Sequence, residues 1–247
     1  MVRNLTHVEG MSLEALRAGI RWDFESYPEY LAALERGGLV PNVASFVGHS
    51  SVRTYVLGEE ASKRKATDAE IAEMRRIVVE ALRVGAIGFA TSTLEQHNGE
   101  HDEDEVKRLL RHPHAAVALS DAGAHLSFLC DAGFGLHLFG HWARERGDLS
   151  LEQAVRAVTS AVADAYRIQD RGRLRPGAWA DLMLFDPRTV GRGPKRRVND
   201  LPTGASRLDT PAVGLHGVWV NGVRTLSERG IIADCGRPGR LLREFAV

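Results

Sequence analysis

The chain has 247 residues, of which 44% are hydrophobic and 26% are charged. This length fits one large domain or two modest ones, and the composition is that of an ordinary globular protein. Its 32 basic residues balance 32 acidic residues, so the charge favours neither nucleic acid nor an anionic membrane as a partner.

The cysteines and the N-terminal residues bear on where the protein is located. Cys130 and Cys235 lie far apart and lack the spacing of a metal motif, which predicts free thiols in a reducing compartment. The N-terminal residues contain no apolar segment of signal-peptide length, and no stretch approaches about 18 uninterrupted apolar residues. We therefore expect a cytoplasmic protein.

Capping and apolar patterns in the first third of the chain predict helices. Segments 13–18 and 30–36 carry short helical patterns. Thr67 and Glu70 have the three-residue spacing of a capping box, which marks the start of a helix. After it, apolar residues recur at steps of three and four and define one helical face: Ile71, Met74, Ile77, Val78, Ala81 and Leu82.

A glycine and an apolar run end that helix and begin a strand. Gly85 has the position of a C-cap glycine, and residues 86–92, AIGFATS, predict a buried strand. Helix, glycine turn and strand in this order form the basic step of a βα architecture.

The middle of the chain repeats this alternation. A helix is predicted from Asp102, Pro113 prevents its continuation, and residues 115–120 form the next strand. Ser150 and Gln153 form a further capping box, so another helix begins after Ser150.

From about residue 167 the helical periodicity gives way to glycine, proline and short apolar runs. Segments 181–185 and 217–225 are predicted strands, and Asn221-Gly222 predicts a hairpin turn within the second. The basic residues 195–197 lie between glycine and proline residues, and we interpret them as part of a solvated loop.

One segment in the middle of the chain carries the strongest chemical signal. Residues 119–125 read LSDAGAH, so the apolar run 115–118 ends abruptly in Ser120 and Asp121. Residues at the carboxyl ends of strands face the active site in α/β barrels, which makes Asp121 a candidate metal ligand or proton acceptor. On spacing alone, a role for Asp121 in capping the next helix or turn is favoured.

Other segments of the chain favour the chemical role of Asp121 over the capping role. LSDAGAH is followed by LCDAGF (129–134) and by a longer segment over 139–187, while NVASFVGHSSVRTYVLGEEA (42–61) and EALRVGAIGFATS (80–92) precede it. Together these segments resemble the N-acyl-D-amino-acid deacylase branch of the amidohydrolase superfamily, also called the D-aminoacylase branch. The resemblance covers most of the chain and implies a metal-dependent hydrolase.

The resemblance also implies roles for two residues. In the family, an aspartate at the end of the eighth barrel strand binds metal and transfers protons, and Asp121 matches it as catalytic residue and metal ligand. His125 matches a position close to the pocket, where substrate binding and a packing role are both open. Zinc is the implied cofactor, and a small N-acyl amino acid is the implied substrate.

The implied α/β fold is a partial TIM-type (β/α) barrel with a small C-terminal β-sandwich unit. We expect residues 1–166 to form the partial hydrolase barrel and residues 167–247 to form the C-terminal β-rich composite domain. A complete barrel takes roughly 250 residues and one βαβ unit about 30. The first segment therefore holds about four or five of the eight strand–helix steps.

Several histidine ligands of the family have no counterpart in this chain. His112 and His114 have the spacing of the family's His-x-His pair, but they precede the last strand, and we interpret them as loop residues. The chain passes directly from His101 to Asp102, where we infer a large internal deletion relative to the family. The chain also lacks a counterpart of the family's first segment.

Three other histidines have structural and functional interpretations. His49 resembles a residue at a family strand end and could shape the pocket, although a structural role is favoured. His137 and His141 are four residues apart and could share a metal. Because no glutamate of an HExxH motif accompanies them, helix packing is favoured.

Three functions follow from these observations. The first is hydrolysis of non-peptide carbon–nitrogen (amide) bonds by an enzyme of the N-acyl-D-amino-acid deacylase type. The second is a catalytically incomplete remnant or associating subunit, which would self-associate through exposed barrel edges because unpaired strand edges recruit partners. The third is a cyclic amidohydrolase of the dihydroorotase or hydantoinase type. We expect neither nucleic acid nor a membrane as a partner.

Overall fold

A computed structural model of the chain describes residues 12–61, 63–90, 107, 110–111, 117, 126–127, 130 and 132–245. The chain divides into two compact units. The first combines Trp22–Gly99 with Gly236–Val247, and the second combines Val2–Arg21 with Glu100–Cys235. The domain boundary between residues 166 and 167 stays a prediction.

Helices prevail early in the described chain and strands prevail late. The α-helices are α1 (Leu13–Gly19), α2 (Tyr27–Gly37), α3 (His49–Leu57), α4 (Asp68–Arg83), α5 (Phe134–His137), α6 (Leu151–Val158) and α7 (Ser160–Ala165). A π-helix, Leu138–Glu145, continues α5, and 3₁₀ turns lie at Gly58–Glu60 and Pro202–Gly204.

The strands are short. They are β1 (Val47–Gly48), β2 (Phe89–Ala90), β3 (Leu182–Phe185), β4 (Gly191–Arg192), β5 (Arg196–Val198), β6 (Arg207–Asp209), β7 (Ala212–Val213), β8 (Leu215–Val220), β9 (Val223–Ser227) and β10 (Gly230–Ile231). Among the helices of the described residues, none is long and apolar enough to cross a membrane.

Capping boxes start three of the helices. The cap side chains of α2, α4 and α6 accept a hydrogen bond from the backbone three residues on, and the side chain at that position accepts one from the cap N–H. The pairs are Ser26–Glu29, Thr67–Glu70 and Ser150–Gln153. The two boxes predicted from sequence, at Thr67 and Ser150, are confirmed, as are helices at 13–18 and 30–36.

The first unit contains a parallel strand pair joined by helices. Val47 of β1 lies opposite Phe89 of β2, and α3 and α4 connect the two strands. Gly85 follows α4 with a φ of 107° and so turns the chain into β2, which confirms the predicted helix, glycine and strand. The prediction that this strand is buried is wrong for its described residues, because Phe89 and Ala90 are both exposed. Within the described part of segment 86–92, the paired strand is limited to Phe89–Ala90.

The core of this unit lies between the strands and α4. Val47, Val52, Ala81 and Ala86 are buried together, and three further α4 side chains pack against them: Met74, Ile77 and Val78. Four of the six residues in the predicted apolar face therefore lie at the core, whereas the prediction is wrong for Ile71 and Leu82, which are 50% and 45% exposed.

The second unit contains an antiparallel sheet in the order β10-β9-β8-β3. Asn221 and Gly222 join β8 to β9 with φ values of 49° and 86°. Positive φ at both central residues is the requirement of a type I′ hairpin turn. The hairpin predicted from Asn221-Gly222 is therefore confirmed.

One prediction in this unit is wrong. Residues 195–197 were expected in a solvated loop, but Arg196–Val198 form β5, which pairs antiparallel with β6. Arg196 Nε lies 2.9 Å from Asp209 Oδ2 on the paired strand. The strand forms because of this distant partner, which local glycine and proline content cannot indicate.

The core of the second unit forms around the π-helix. Leu138, Phe139 and Trp142 are buried with Ala154 of α6 and Val190. The Arg146 N–H donates to the His141 carbonyl at 2.9 Å, which is the five-residue spacing of a π-helix.

Candidate functional site

The two predicted site residues, Asp121 and His125, lie outside the described residues, as do His112 and His114. Their roles stay predictions. The described residues on either side of the Asp121 segment are nevertheless anchored. Val117 N–H donates to the Ala157 carbonyl of α6 at 3.1 Å, and Leu208 N–H of β6 donates to the Leu126 carbonyl at 2.6 Å.

A charged cluster around Asp148 lies in the same unit. Lys107 Nζ is 2.5 Å from Asp148 Oδ1, and Arg146 Nε is 2.6 Å from Asp148 Oδ2. Arg111 Nε donates to the Asp148 carbonyl at 2.8 Å. The Asp148 side chain is 8% exposed, and hydrogen bonds from Lys107 and then Arg146 hold its pKa below the ordinary value of 3.8.

The sequence analysis gave Asp148 no role. Its position in a polar turn two residues after Arg146 does not distinguish a buried ion pair from an exposed one. The cluster fixes Lys107 and Arg111, which precede the predicted strand 115–120, to the turn after the π-helix. It therefore holds the approach to that strand in place.

The carboxyl ends of β1 and β2 form a candidate site in the first unit. In α/β folds, ligands bind beyond the carboxyl ends of parallel strands. His49 follows β1 directly and begins α3, and its ring centroid lies 5.9 Å from that of Phe89. This location matches the strand-end position predicted for His49.

His137 and His141 lie together at the π-helix. Their rings stack in nearly parallel planes, 10° apart, with centroids separated by 4.7 Å. His141 Nδ1 is 3.3 Å from Glu145 Oε2, and this contact, followed by Arg144, lowers the Glu145 pKa. Lone pairs in parallel stacked rings do not converge on one ion, so the arrangement fits packing rather than chelation.

The described residues do not by themselves fit a metal centre. Within them, no group of three His, Cys, Asp or Glu side chains could hold a metal ion. A catalytic zinc site usually has about three protein ligands and a water. No catalytic step through a metal is therefore derived from the described side chains.

The sequence carries a family relationship that covers the predicted site. The family model of the amidohydrolase family matches residues 94–226, which are more than half of the chain. The chain belongs to the amidohydrolase family. This match includes the segment that contains Asp121 and His125.

Two curated relatives specify the branch of the family. The chain is 36% identical to an N-acyl-D-glutamate deacylase of Alcaligenes xylosoxydans xylosoxydans over 149 residues, which are 59% of this chain and 28% of that protein. It is 34% identical to a D-aminoacylase of the same organism over 119 residues, which are 46% of this chain and 24% of that protein. The chain thus spans about a quarter of the length of the curated relatives it matches. The predicted resemblance to the deacylase branch is confirmed.

A solved structure shows the fold. The chain resembles the N-acyl-D-glutamate deacylase of Bordetella bronchiseptica with a TM-score of 0.72 and 22% identity, over 94% of this chain and 77% of that chain. That crystal structure contains zinc and a phosphonate inhibitor that mimics the tetrahedral intermediate of the reaction. The amidohydrolase protein described here therefore has an α/β fold of the same kind.

Proposed function

We propose that this amidohydrolase hydrolyses a non-peptide carbon–nitrogen bond and removes the acyl group from N-acyl-D-amino acids. The observation that carries the proposal is the identity of 36% and 34% with two relatives that are named deacylases or aminoacylases of D-amino acids. The proposed substrate is a small N-acyl-D-amino acid, and the proposed location is the cytoplasm.

The proposed architecture is a partial TIM-type barrel over residues 1–166 with a C-terminal β-sandwich unit over 167–247. The parallel pair of β1 and β2, joined by α3 and α4, supports the barrel part. The antiparallel sheet of β3 and β8 to β10 supports the C-terminal part.

The proposed catalytic residue is Asp121, with His125 as the residue that binds substrate. A carboxylate at a strand end can take a proton from the attacking water and pass it to the leaving nitrogen, as general base and then general acid. Zinc is the proposed cofactor and Asp121 its proposed ligand, because a solved deacylase of similar fold contains zinc.

Amino acid release by the purified full chain tests the activity. The N-acetyl derivatives of D-glutamate, D-aspartate and a neutral D-amino acid are incubated with the zinc-supplemented chain, with the L-enantiomers as controls. We expect release from the D-enantiomers and its loss in Asp121→Asn. Asp131→Asn is the matched control, because Asp131 also begins an Asp-Ala-Gly sequence. No release from any D-substrate would contradict the proposed function.

A catalytically incomplete, self-associating subunit is the second candidate. Among the strands of the described residues, β1 and β2 are the pair that is parallel, and Phe89 at this pair is 47% exposed. Exposed strand edges favour association. A chain that binds no zinc, releases no amino acid and forms oligomers supports this candidate. Dihydroorotate and hydantoin in the same panel test the cyclic amidohydrolase alternative.

A further inference from the structure

Helix α4 has an exposed apolar stripe beside its core-facing side. Ala81 is fully buried at the core. The stripe consists of Ile71, Val79 and Leu82, which remain exposed by 50%, 36% and 45%. Exposed apolar side chains that lie next to one another on a surface helix mark an interaction surface.

A groove of about 570 Å³ lies beside this stripe and shares Val79 with it. Its apolar lining is Ala72, Val79 and Val84, and its charged lining is Arg75, Arg76, Glu80 and Arg83. A groove with both apolar and charged lining residues suits a protein partner. That partner would carry exposed apolar side chains of its own, flanked by charges opposite in sign to those of the groove.

The charges beside the stripe alternate in sign along one flank of the helix. Glu73, Arg76, Glu80 and Arg83 follow at steps of three, four and three residues, which places them on one side of an α-helix. Arg76 pairs within the chain with Glu73 at 2.7 Å and with Glu80 at 3.2 Å. Read from the N-terminal end of α4 the four signs are minus, plus, minus and plus, and read from the C-terminal end they are plus, minus, plus and minus. Two copies of the helix that run in opposite directions can therefore place opposite charges together at all four positions.

We propose that two copies of this chain associate through α4, with the helices antiparallel about a twofold axis level with residue 78. A twofold axis of this kind brings the same flank of both helices together, running in opposite directions. Glu73 then lies opposite the partner's Arg83, and Arg76 lies opposite the partner's Glu80. All four contacts of this flank join opposite charges.

The apolar residues follow the same symmetry. Val79 is one residue from the level of the axis, so it packs beside the partner's Val79 and covers the exposed stripe. The antiparallel pair therefore satisfies the charge order of this flank.

The size of the surface sets the expected strength. The 16 residues of α4 form a helix about 24 Å long. A single pair of such helices buries less than the roughly 1,600 Å² of a standard interface. We therefore expect a dissociation constant in the micromolar range that rises with added salt, because the flanking ion pairs are exposed.

Sedimentation equilibrium of the full-length chain, at protein concentrations from low to high micromolar, tests the proposal. We expect a monomer–dimer equilibrium in the unaltered chain. Arg83→Glu places like charges at two symmetric contacts and should raise the dissociation constant about tenfold or more. The double variant Glu73→Arg with Arg83→Glu restores opposite charges across the axis and should return the constant to near its original value.

Two further variants complete the design. Arg188→Glu makes the same charge change at a side chain that is 87% exposed and lies outside α4, so it should leave the constant unchanged. Val79→Asn should weaken the dimer without altering any charge. Circular dichroism of each variant establishes that α4 remains folded.

Three results would overturn the proposal. The first is a chain that stays monomeric at every concentration. The second is association that neither Arg83→Glu nor Val79→Asn weakens, which assigns the contact to another surface such as a strand edge. The third is a double variant that remains as dissociated as Arg83→Glu, which excludes the antiparallel register. None of these readouts depends on whether the chain hydrolyses N-acyl-D-amino acids.

Discussion

Lys107 Nζ lies 2.5 Å from Asp148 Oδ1 and so joins the residues before the predicted Asp121 strand to the turn after the π-helix. Arg146 reaches the other oxygen of Asp148 while its guanidinium lies 5.1 Å from the centre of the Trp142 ring. The carboxylate is thus the meeting point of two cations that belong to separate parts of the second unit. The Asp148 carboxylate therefore fixes the segment of Lys107 to the turn that follows the π-helix.

Replacement of Asp148 by asparagine should lower the thermal unfolding temperature by several degrees, because Lys107 and Arg146 lose a shared and nearly buried counter-charge. The Asp148 pKa lies below 3.8 in the folded chain. The stabilisation should therefore be complete above pH 3.8 and decline as the pH falls through the folded value. Thermal unfolding of both chains between pH 7 and pH 2 measures this difference.

The control for this change is Asp170→Asn. Asp170 pairs with Arg175 at 2.7 Å, but both side chains are more than half exposed, and exposed ion pairs contribute little. Equal losses of thermal stability in the Asp148 and Asp170 variants would show that the Asp148 cluster does not join the two parts.

Replacement of Glu70 by glutamine separates the two interactions of this side chain. Hydrogen bonds from Arg64, followed by those from Thr67, lower the Glu70 pKa from 4.5 to about 2. Glutamine retains the capping box of α4 but removes the ion pair with Arg64. The stabilisation from the charge should be present above pH 4.5 and lost as the pH falls towards about 2.

Urea unfolding as a function of pH measures this effect. The free energy of unfolding of Glu70→Gln should lose that part of the pH dependence, while its α4 helix content stays unchanged. Glu70→Ala should lose both the pH-dependent part and the cap. Identical pH profiles for the unaltered chain and Glu70→Gln would argue against the pair with Arg64.

Local signals in the sequence account for much of the fold. The capping boxes at Thr67 and Ser150 and the turn at Asn221-Gly222 act within a few residues, so their patterns were sufficient to predict them. Strand β5 was missed because its partner β6 lies further along the chain. The π-helix was missed as well, and its buried neighbour Val190 lies far along the chain, where no local periodicity indicates the contact.

The candidate site shows the same division. The resemblance to the deacylases pointed to Asp121 and His125 because that signal lies in the order of residues. Asp148 was missed because its importance depends on Lys107, Arg111 and Arg146 reaching it in space. Ion pairs between distant segments have no local pattern from which they could be predicted.

The close approach of the π-helix to Val190 predicts a steric effect at Gly140. A Cβ atom at Gly140 would lie 2.8 Å from the Val190 carbonyl oxygen and 3.2 Å from Gly191 Cα. Because backbone atoms of a buried segment cannot move aside easily, Gly140→Ala should destabilise the chain by about 1–3 kcal/mol. Urea unfolding at constant m-value measures the loss.

Gly135 provides the matched control in the preceding helix. A Cβ atom there would meet nothing within 4 Å, so Gly135→Ala should be neutral or stabilising by up to about 1 kcal/mol through helix propensity. If Gly140→Ala is tolerated as well as Gly135→Ala, the π-helix does not lie this close to Val190.

The pair of Arg171 and Asp181 predicts strong coupling in a double-mutant cycle. The Arg171 side chain is 9% exposed and bonds to Asp181, which also accepts a hydrogen bond from the Asn221 N–H at 2.8 Å. Asp181→Ala should cost about 3 kcal/mol because it leaves a buried guanidinium without its counter-charge. Removing Arg171 as well should cost less than the sum of the single changes.

The exposed pair of Arg173 and Asp164 is the reference cycle, with an expected coupling below about 1 kcal/mol. Additive losses at Arg171 and Asp181, measured by urea unfolding, would mean that the guanidinium is solvated and that the hairpin is held by Asp181 alone.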